Sequence, residues 1–260
     1  MTRILGIVNI TADSFSDGGE FLAPEAAIRQ AKGLISAGAD AVDLGPASTH
    51  PDAEAVTVTE EIRRLEPVIA ALSDVPISVD SYWPETQRWA LSKGVAYLND
   101  IQGFPNETIY PELADSDATL IAMFSVQATG GATREETDPE QIVPRICAFF
   151  DERVEALLSG GVRREQLILD PGMGFFLGSD PECSMAVMRA IPELKSRWNL
   201  PLLVSVSRKS FLRKLTGTSL ENIGAATLAA ELAAARSGVD WLRTHDVAAL
   251  SDALLVQNAL

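Results

Sequence analysis

What most limits the fold of this chain is an alternation repeated along its whole length. A short, β-branched apolar run comes first, then a longer stretch whose apolar residues have helical spacing. The runs 4–8, 41–44, 77–79, 95–98, 119–123, 167–169, 202–206 and 241–242 are each followed by such a pattern. The helical patterns cover 24–37, 59–72, 84–93, 108–113, 139–158, 181–198, a stretch from Ser210 that breaks near Gly217 and resumes at 223–237, and 247–260. Pro24 suits the first turn of a helix, and Thr59 with Glu61 suits the next helix start. Gly38, Gly94, Gly161 and Gly238 follow helical stretches, where a left-handed residue commonly ends the helix. Near-continuous apolar strands separated by helices indicate a parallel sheet covered on its outer side. Eight strand–helix units in 260 residues fit a closed α/β barrel, the (β/α)8 or TIM type. An open, doubly wound sheet is the rival, but no Gly-x-Gly-x-x-Gly follows the first run.

No Ser/Gly linker or shift of composition divides the chain, so residues 1–260 read as a single domain. A net charge of −15 argues against non-specific nucleic-acid or anionic-membrane binding. It leaves room for an anionic small substrate, since a few Lys and Arg can converge locally. No apolar run approaches the roughly 18 residues of a membrane span, and the N-terminus lacks a signal-peptide pattern. Cys147 and Cys183 lie in helical patterns with neither a CxxC nor a paired His, as expected of thiols in a reducing cytoplasm.

In such a barrel the carboxyl ends of the strands ring the active site. The first run ends in Asn9, followed by a polar loop containing Thr11, Asp13, Ser14, Ser16 and Asp17 and closed by Gly18 and Gly19. The second contains Asp43 and leads through Pro46 and Ala47 to Ser48, Thr49, His50 and Pro51. Asp80 and Ser81 follow the third run, Asn99 and Asp100 the fourth, and Asp170 with Gly172 the sixth. The seventh contains Ser205 and leads to Ser207, Arg208, Lys209 and Ser210, and Arg243, Thr244, His245 and Asp246 follow the eighth. Taken singly, an Asp after a strand is commonly a turn or cap residue, and Asp100 and Asp246 fit that description. Taken together, Asp80, Asn99 and Asp170 can meet a planar, amide-rich heterocycle, because carboxylates accept and an amide does both. Arg243 with His245, and Arg208 with Lys209, read as two cationic pairs suited to an anionic group.

These motifs resemble dihydropteroate synthase, of the pterin-binding barrel superfamily, over essentially the whole chain. The run 9–19 is similar to the family's first-loop signature, with Ala12 where Pro is usual. The segments 38–45, 48–51, 78–80, 99–101, 169–172, 207–210 and 243–247 continue the family's order. The resemblance implies condensation of p-aminobenzoate with 6-hydroxymethyl-7,8-dihydropterin pyrophosphate, giving 7,8-dihydropteroate and pyrophosphate. It implies that Asp80, Asn99, Asp170 and Lys209 hold the pterin. Asn9, Arg243 and His245 would hold the pyrophosphate, with Asn9 also near a Mg2+. Thr49 and Ser210 would help hold p-aminobenzoate. Asn9, Asp80, Lys209, Arg243 and His245 are thereby the expected catalytic set. Neutralised pyrophosphate leaves readily, so little general-base work is expected, in keeping with the lack of a recognisable His–carboxylate dyad. The family is commonly dimeric, and the apolar late helices offer a surface for a homodimer.

Four departures from the family pattern stand out. His50 replaces an Arg, Phe124 ends the fifth strand where Met-His is usual, and Pro46-Ala47 replaces Gly-Glu. After the sixth strand the run 172–178 carries Phe175, Phe176 and Leu177 and lacks the usual Lys. This longer, more apolar loop resembles the mobile-element, sulfonamide-insensitive branch. The expectation is that Phe175 or Phe176 reshapes the p-aminobenzoate pocket so that bulkier sulfonamides are excluded and resistance follows. Plain packing of both rings at the barrel top is the simpler reading. Two other functions are weighed: a methyltetrahydrofolate-dependent methyltransferase, and a non-catalytic pterin- or drug-binding homologue.

Overall fold

The computed structural model describes residues 2–11, 22–127 and 130–260. Within them run eight parallel strands: β1 (Arg3–Asn9), β2 (Ala41–Gly45), β3 (Ile77–Asp80), β4 (Tyr97–Asp100), β5 (Thr119–Met123), β6 (Leu167–Asp170), β7 (Leu203–Val204) and β8 (Trp241–Thr244). They pair in the order β6-β5-β4-β3-β2-β1-β8-β7. A parallel bridge between Leu169 and Leu202 joins the two end strands and closes the ring. The helices α1 (Leu22–Ser36), α2 (Val58–Ala70), α3 (Pro84–Ser92), α4 (Tyr110–Asp115), α5 (Pro139–Ser159), α6 (Pro181–Trp198), α7 (Ser210–Thr216), α8 (Gly224–Arg236) and α9 (Val247–Ala259) wrap the outside. The expected barrel is therefore the fold.

The main core fills the space between strands and helices. Outward residues such as Val8, Val42, Leu44, Val79, Leu98 and Leu120 meet Leu65, Ile146, Val187 and Leu250 from the helices. A smaller cluster of Leu5, Ala41, Ile121, Ile168, Leu203 and Trp241 plugs the barrel interior, with Tyr97 against it. Side chains alternate across a strand, so a residue two places beyond each plug residue also points inward, one layer nearer the mouth. That rule positions the site described below.

Local differences from the sequence reading have physical causes. Helix α2 starts one residue earlier than expected, because Thr57 rather than Thr59 caps it, accepting the Glu60 N–H at 3.3 Å. Glu61 is thereby turned inward and buried. The helical pattern at 108–113 divides into a 3-10 turn, Glu107–Ile109, and α4, with Asn106 Oδ1 capping the Thr108 N–H at 3.0 Å. The run 202–206 pairs as a strand only over Leu203–Val204, since the chain turns there and the Lys209 N–H reaches the Val206 carbonyl at 3.2 Å. Gly172, with φ of +73°, carries the chain past Phe124 so closely that a Cβ would lie 2.4 Å from the Phe124 carbonyl oxygen. The polar first loop around Asp13 and Asp17 lies outside the described residues.

Candidate active site

Two-residue steps from the apolar plug build a polar layer. Ala41 leads to Asp43, Tyr97 to Asn99, Ile168 to Asp170 and Trp241 to Arg243. Strand register brings these together, with Asp43 beside Ser78, Asp80 beside Asn99 and Met123 beside Asp170. Arg243 donates from Nε to Asp43 Oδ2 at 2.6 Å and from Nη2 to Asp80 Oδ2 at 2.9 Å. Asn99 Nδ2 donates to the same Asp43 oxygen at 3.2 Å. The Oδ1 atoms of Asp43 and Asn99 are buried without a hydrogen-bond partner. Such unfilled acceptors are costly in a folded interior, and Asn99, unlike Asp43, lines the space where a ligand could donate to it.

Burial governs the ionisation of this layer. For Asp80 burial, then the nearby Asp43 charge, raise the pKa to about 7 against the pull of Arg243. Asp170 is raised to about 6, again by burial first, although the Gly172 N–H at 2.8 Å favours its charged form. Lys209 falls to about 8 because burial and the Arg243 charge disfavour its ammonium. The pKa of Arg243 rises despite burial, because Asp43 and Asp80 flank it. The layer thus holds carboxyl groups that can donate or accept near neutral pH.

Above it opens a cleft with a cavity volume of about 460 Å³. Every candidate from the sequence lines it: Asn9, Thr49, Asp80, Asn99, Asp170, Phe175, Phe176, Lys209, Ser210, Arg243 and His245. Asn9 ends β1, its carboxamide oxygen lying over Gly45, where a Cβ would come within 3.5 Å of it. Thr49 is held from the β5–α5 loop, since its carbonyl accepts the Ala132 N–H at 3.0 Å. Ser210 opens α7 directly after Lys209. The ammonium of Lys209 sits 5.0 Å from the centroid of the buried Phe176 ring, a cation–π contact.

Phe175 stands at the rim. It meets the His50 ring edge-on at 5.9 Å, and the Arg134 guanidinium lies 5.9 Å from its centroid. Arg134 in turn pairs with Asp52 of the β2–α2 loop, one bond measuring 2.7 Å. The three loops after β2, β5 and β6 therefore meet around Phe175. Phe124 is buried and packs edge-on against Phe149 at 5.3 Å, which accounts for it as barrel-top packing.

The reading of His245 as a cation is corrected. Burial, then the charges of Arg208, Arg243 and Lys209, push its pKa down to about 3, so its imidazole is neutral at physiological pH. Its Nδ1 lies 2.9 Å from Ser207 Oγ. Arg208 adopts a left-handed backbone, with φ of +59°, which a non-glycine residue holds only under constraint. Asp43 belongs to the polar layer although it sits within a strand rather than at its end, where the sequence places the other site residues. A lone carboxylate inside an apolar strand, two places beyond a plug residue, was the available signal.

Among the described residues no group of three or more His, Cys, Asp and Glu side chains could hold a metal ion. Asn9 supplies one hard oxygen at the mouth, a donor type that suits Mg2+ when phosphate oxygens provide most of the ligands.

Comparison with known proteins agrees with this geometry. A family model described as "Pterin binding enzyme" matches residues 5–245. The chain is 57% identical over 259 residues to dihydropteroate synthase type-2 from Escherichia coli, covering 99% of this chain and 95% of that one. It is 53% identical to dihydropteroate synthase type-3 from Escherichia coli, each covered in full. The structure of Xanthomonas albilineans dihydropteroate synthase with 4-aminobenzoic acid superposes with a TM-score of 0.90 at 36% identity, covering 99% of this chain and 92% of that one.

Proposed function

The chain belongs to the pterin-binding enzyme family, among its dihydropteroate synthases, and we propose that its cleft joins p-aminobenzoate to 6-hydroxymethyl-7,8-dihydropterin pyrophosphate. The observation that carries this reading is the convergence of Asp80, Asn99, Asp170 and Lys209 with Arg243 and His245 on one cleft, Arg243 being bonded directly to Asp80. A pterin edge presents N–H donors and a carbonyl acceptor. Asp80, Asn99 and Asp170 meet the donors, and Lys209 donates to the carbonyl. In the reaction the bond from the methylene carbon to the bridging oxygen breaks, and pyrophosphate leaves with the electron pair. The arylamine nitrogen then bonds to that carbon and loses its proton to solvent. Arg243 and the neutral N–H of His245 stabilise the charge gathering on the leaving oxygen, where one well-placed donor is worth about 10²–10³ in kcat. Thr49 and Ser210 flank the place for p-aminobenzoate. Asn9 would hold in part a Mg2+ bound with the pyrophosphate, and that ion would supply further charge neutralisation.

Further readings rest on the same chain. Bulk at Phe175, held between His50 and Arg134, argues for a narrowed arylamine pocket that takes planar p-aminobenzoate and refuses larger sulfonamides. Exposed Leu255, Val256 and Leu260 on and after α9 support a homodimer built on that face. Among the described residues no helix is long and apolar enough to cross a membrane; work in the cytoplasm belongs to the same proposal, and the free thiols of Cys147 and Cys183 suit a reducing compartment. The methyltransferase alternative has no support from relatives named as synthases. The deciding experiment measures pyrophosphate release from the pterin substrate with p-aminobenzoate and Mg2+, without and with excess sulfamethoxazole. Release in both conditions supports an insensitive synthase. Release abolished by the drug removes the insensitivity, and no release in either condition favours a binding protein.

A further inference from the structure

Helix α8 is almost wholly small and apolar, yet the side it buries carries Thr227, Glu231 and Ala234. Helices α2, α5, α6 and α9 bury Leu, Ile or Val there. Thr227 and Glu231 are one helical turn apart and so share a face. Thr227 Oγ1 accepts the backbone N–H of the strained Arg208 at 3.4 Å. Glu231 lies against the hydroxyl of Thr244, and its Oε1 has no hydrogen-bond partner. Both polar groups therefore brace the two strand ends that carry Ser207, Arg208, Lys209 and His245. A buried carboxyl in such a helix is costly for stability, and the site already described makes no use of it.

Following the hydrogens gives it a role. Ser207 Oγ accepts the His245 backbone N–H at 3.2 Å and faces the Thr244 hydroxyl at 3.4 Å. Thr244 Oγ1 accepts the Asp246 N–H at 3.3 Å and has one hydrogen to give. When that hydrogen goes to Ser207, both acceptor positions of Ser207 are filled. The single Ser207 hydrogen is then left for His245 Nδ1, 2.9 Å away. An imidazole that accepts at Nδ1 carries its hydrogen on Nε2. We propose that Thr244 and Ser207 are positioning residues which fix His245 as the neutral Nε2–H donor facing the cleft, and that Glu231 sets the direction of this relay. As a carboxylic acid, Glu231 donates to Thr244 and leaves the Thr244 hydrogen for Ser207. As a carboxylate it takes that hydrogen, frees an acceptor on Ser207, and lets the opposite tautomer form.

The surroundings favour the acid form. Burial raises the Glu231 pKa to about 7, the Thr244 hydroxyl opposes the rise, and Asp246 at the start of α9 adds to it. The positive charges of Arg208, Lys209 and Arg243 act instead on the imidazole and keep it uncharged. Thr244 and Ser207 are themselves buried, so water does not compete for their hydrogens.

The role of His245 as a donor to the leaving group rests on the synthase reading, but its tautomer can be read without substrate. The chain has two His, so ¹⁵N NMR of the ligand-free protein resolves His245 beside His50. Wild type at pH 6 should show an unprotonated Nδ1 and a protonated Nε2, with a growing share of the other tautomer as the pH passes 8. E231Q, whose amide always donates, should hold the Nε2–H form throughout. T244V and S207A should show mixed tautomers at pH 6, and their KM for the pterin pyrophosphate should rise about tenfold while kcat falls less. S207A serves if T244V fails to fold. An Nδ1–H imidazole in wild type, or an unmixed Nε2–H form in both T244V and S207A, would overturn the proposal. A wild type that releases no pyrophosphate yet shows the stated tautomers would instead overturn the synthase reading alone.

Discussion

Arg243 on β8 and Asp43 on β2, the two strands that flank β1, form an ion pair of 2.6 Å, and the Asp43 side chain is wholly enclosed. Asp43 does not line the cleft, so it acts through its neighbours. Its charge is the second largest cause, after burial, of the raised Asp80 pKa of about 7. D43N should therefore bring the Asp80 titration below 7, read by ¹³C NMR of the labelled carboxyl. It should also loosen Arg243 and lower kcat/KM at least tenfold. An unmoved Asp80 titration would show that burial alone controls that carboxyl. R243L, which strands two buried carboxylates, should lose about 3–5 kcal/mol of stability at pH 8. The loss should shrink towards pH 5, where Asp80 takes up a proton.

His245 offers a second test. An imidazole with a pKa of about 3 does not change charge between pH 5 and 8. No His245 protonation limb should then appear in kcat/KM over that range. H245Q, which retains an N–H donor near the Nε2 position, should stay within about tenfold of wild type, whereas H245A should lose about 10². A kcat/KM limb near pH 6.5 that disappears in H245Q would mean that the imidazolium does the work.

Much of this site was legible because a strand has period two. Asn99, Asp170 and Arg243 follow apolar runs in the sequence, and in the fold each lies two places beyond a plug residue: Tyr97, Ile168 and Trp241. Reading strand ends therefore found most of the polar layer. It overlooked Asp43, whose strand continues through Leu44 to Gly45, so that the carboxylate falls inside the run. The charge of His245 was not legible either. It depends on burial and on three cations from two strand ends, and no local pattern records that sum. Helix boundaries shifted where a side chain competed for the cap, as Thr57 did before Thr59. Glu231 gave no signal of its own, because in sequence it reads as a solvated residue on an alanine-rich helix.

The apolar loop after β6 makes a prediction about selectivity. Phe175 is half-buried at the rim between His50 and Arg134, whereas Phe176 is buried under Lys209. F175A should open the arylamine side and lower the Ki for sulfamethoxazole by tenfold or more, with a smaller change in KM for p-aminobenzoate. F176A should instead destabilise the fold by about 3–5 kcal/mol, as truncation of a buried aromatic ring does. Thermal melts beside inhibition curves separate the two. Equal drug sensitivity in F175A and wild type would leave the loop as packing alone.

Glu231 supplies a stability test independent of catalysis. Its pKa is about 7 in the folded chain against an ordinary 4.5. Between those values the native state binds more protons than the unfolded state, so stability must fall as pH rises. The fall begins near pH 4.5, is complete above 7, and amounts to about 3 kcal/mol for a shift of this size. Glutamine fills the same space and never ionises, so E231Q should lack this decline. Urea denaturation of wild type and E231Q at pH 5 and pH 8 gives the comparison directly, and the opposing effect of His245, lowered to about 3, cancels between the two proteins. The advantage of E231Q should be larger at pH 8 than at pH 5 by roughly 2–3 kcal/mol. An advantage that does not change with pH would mean that Glu231 titrates normally, and that the Thr244 hydrogen points to a carboxylate throughout.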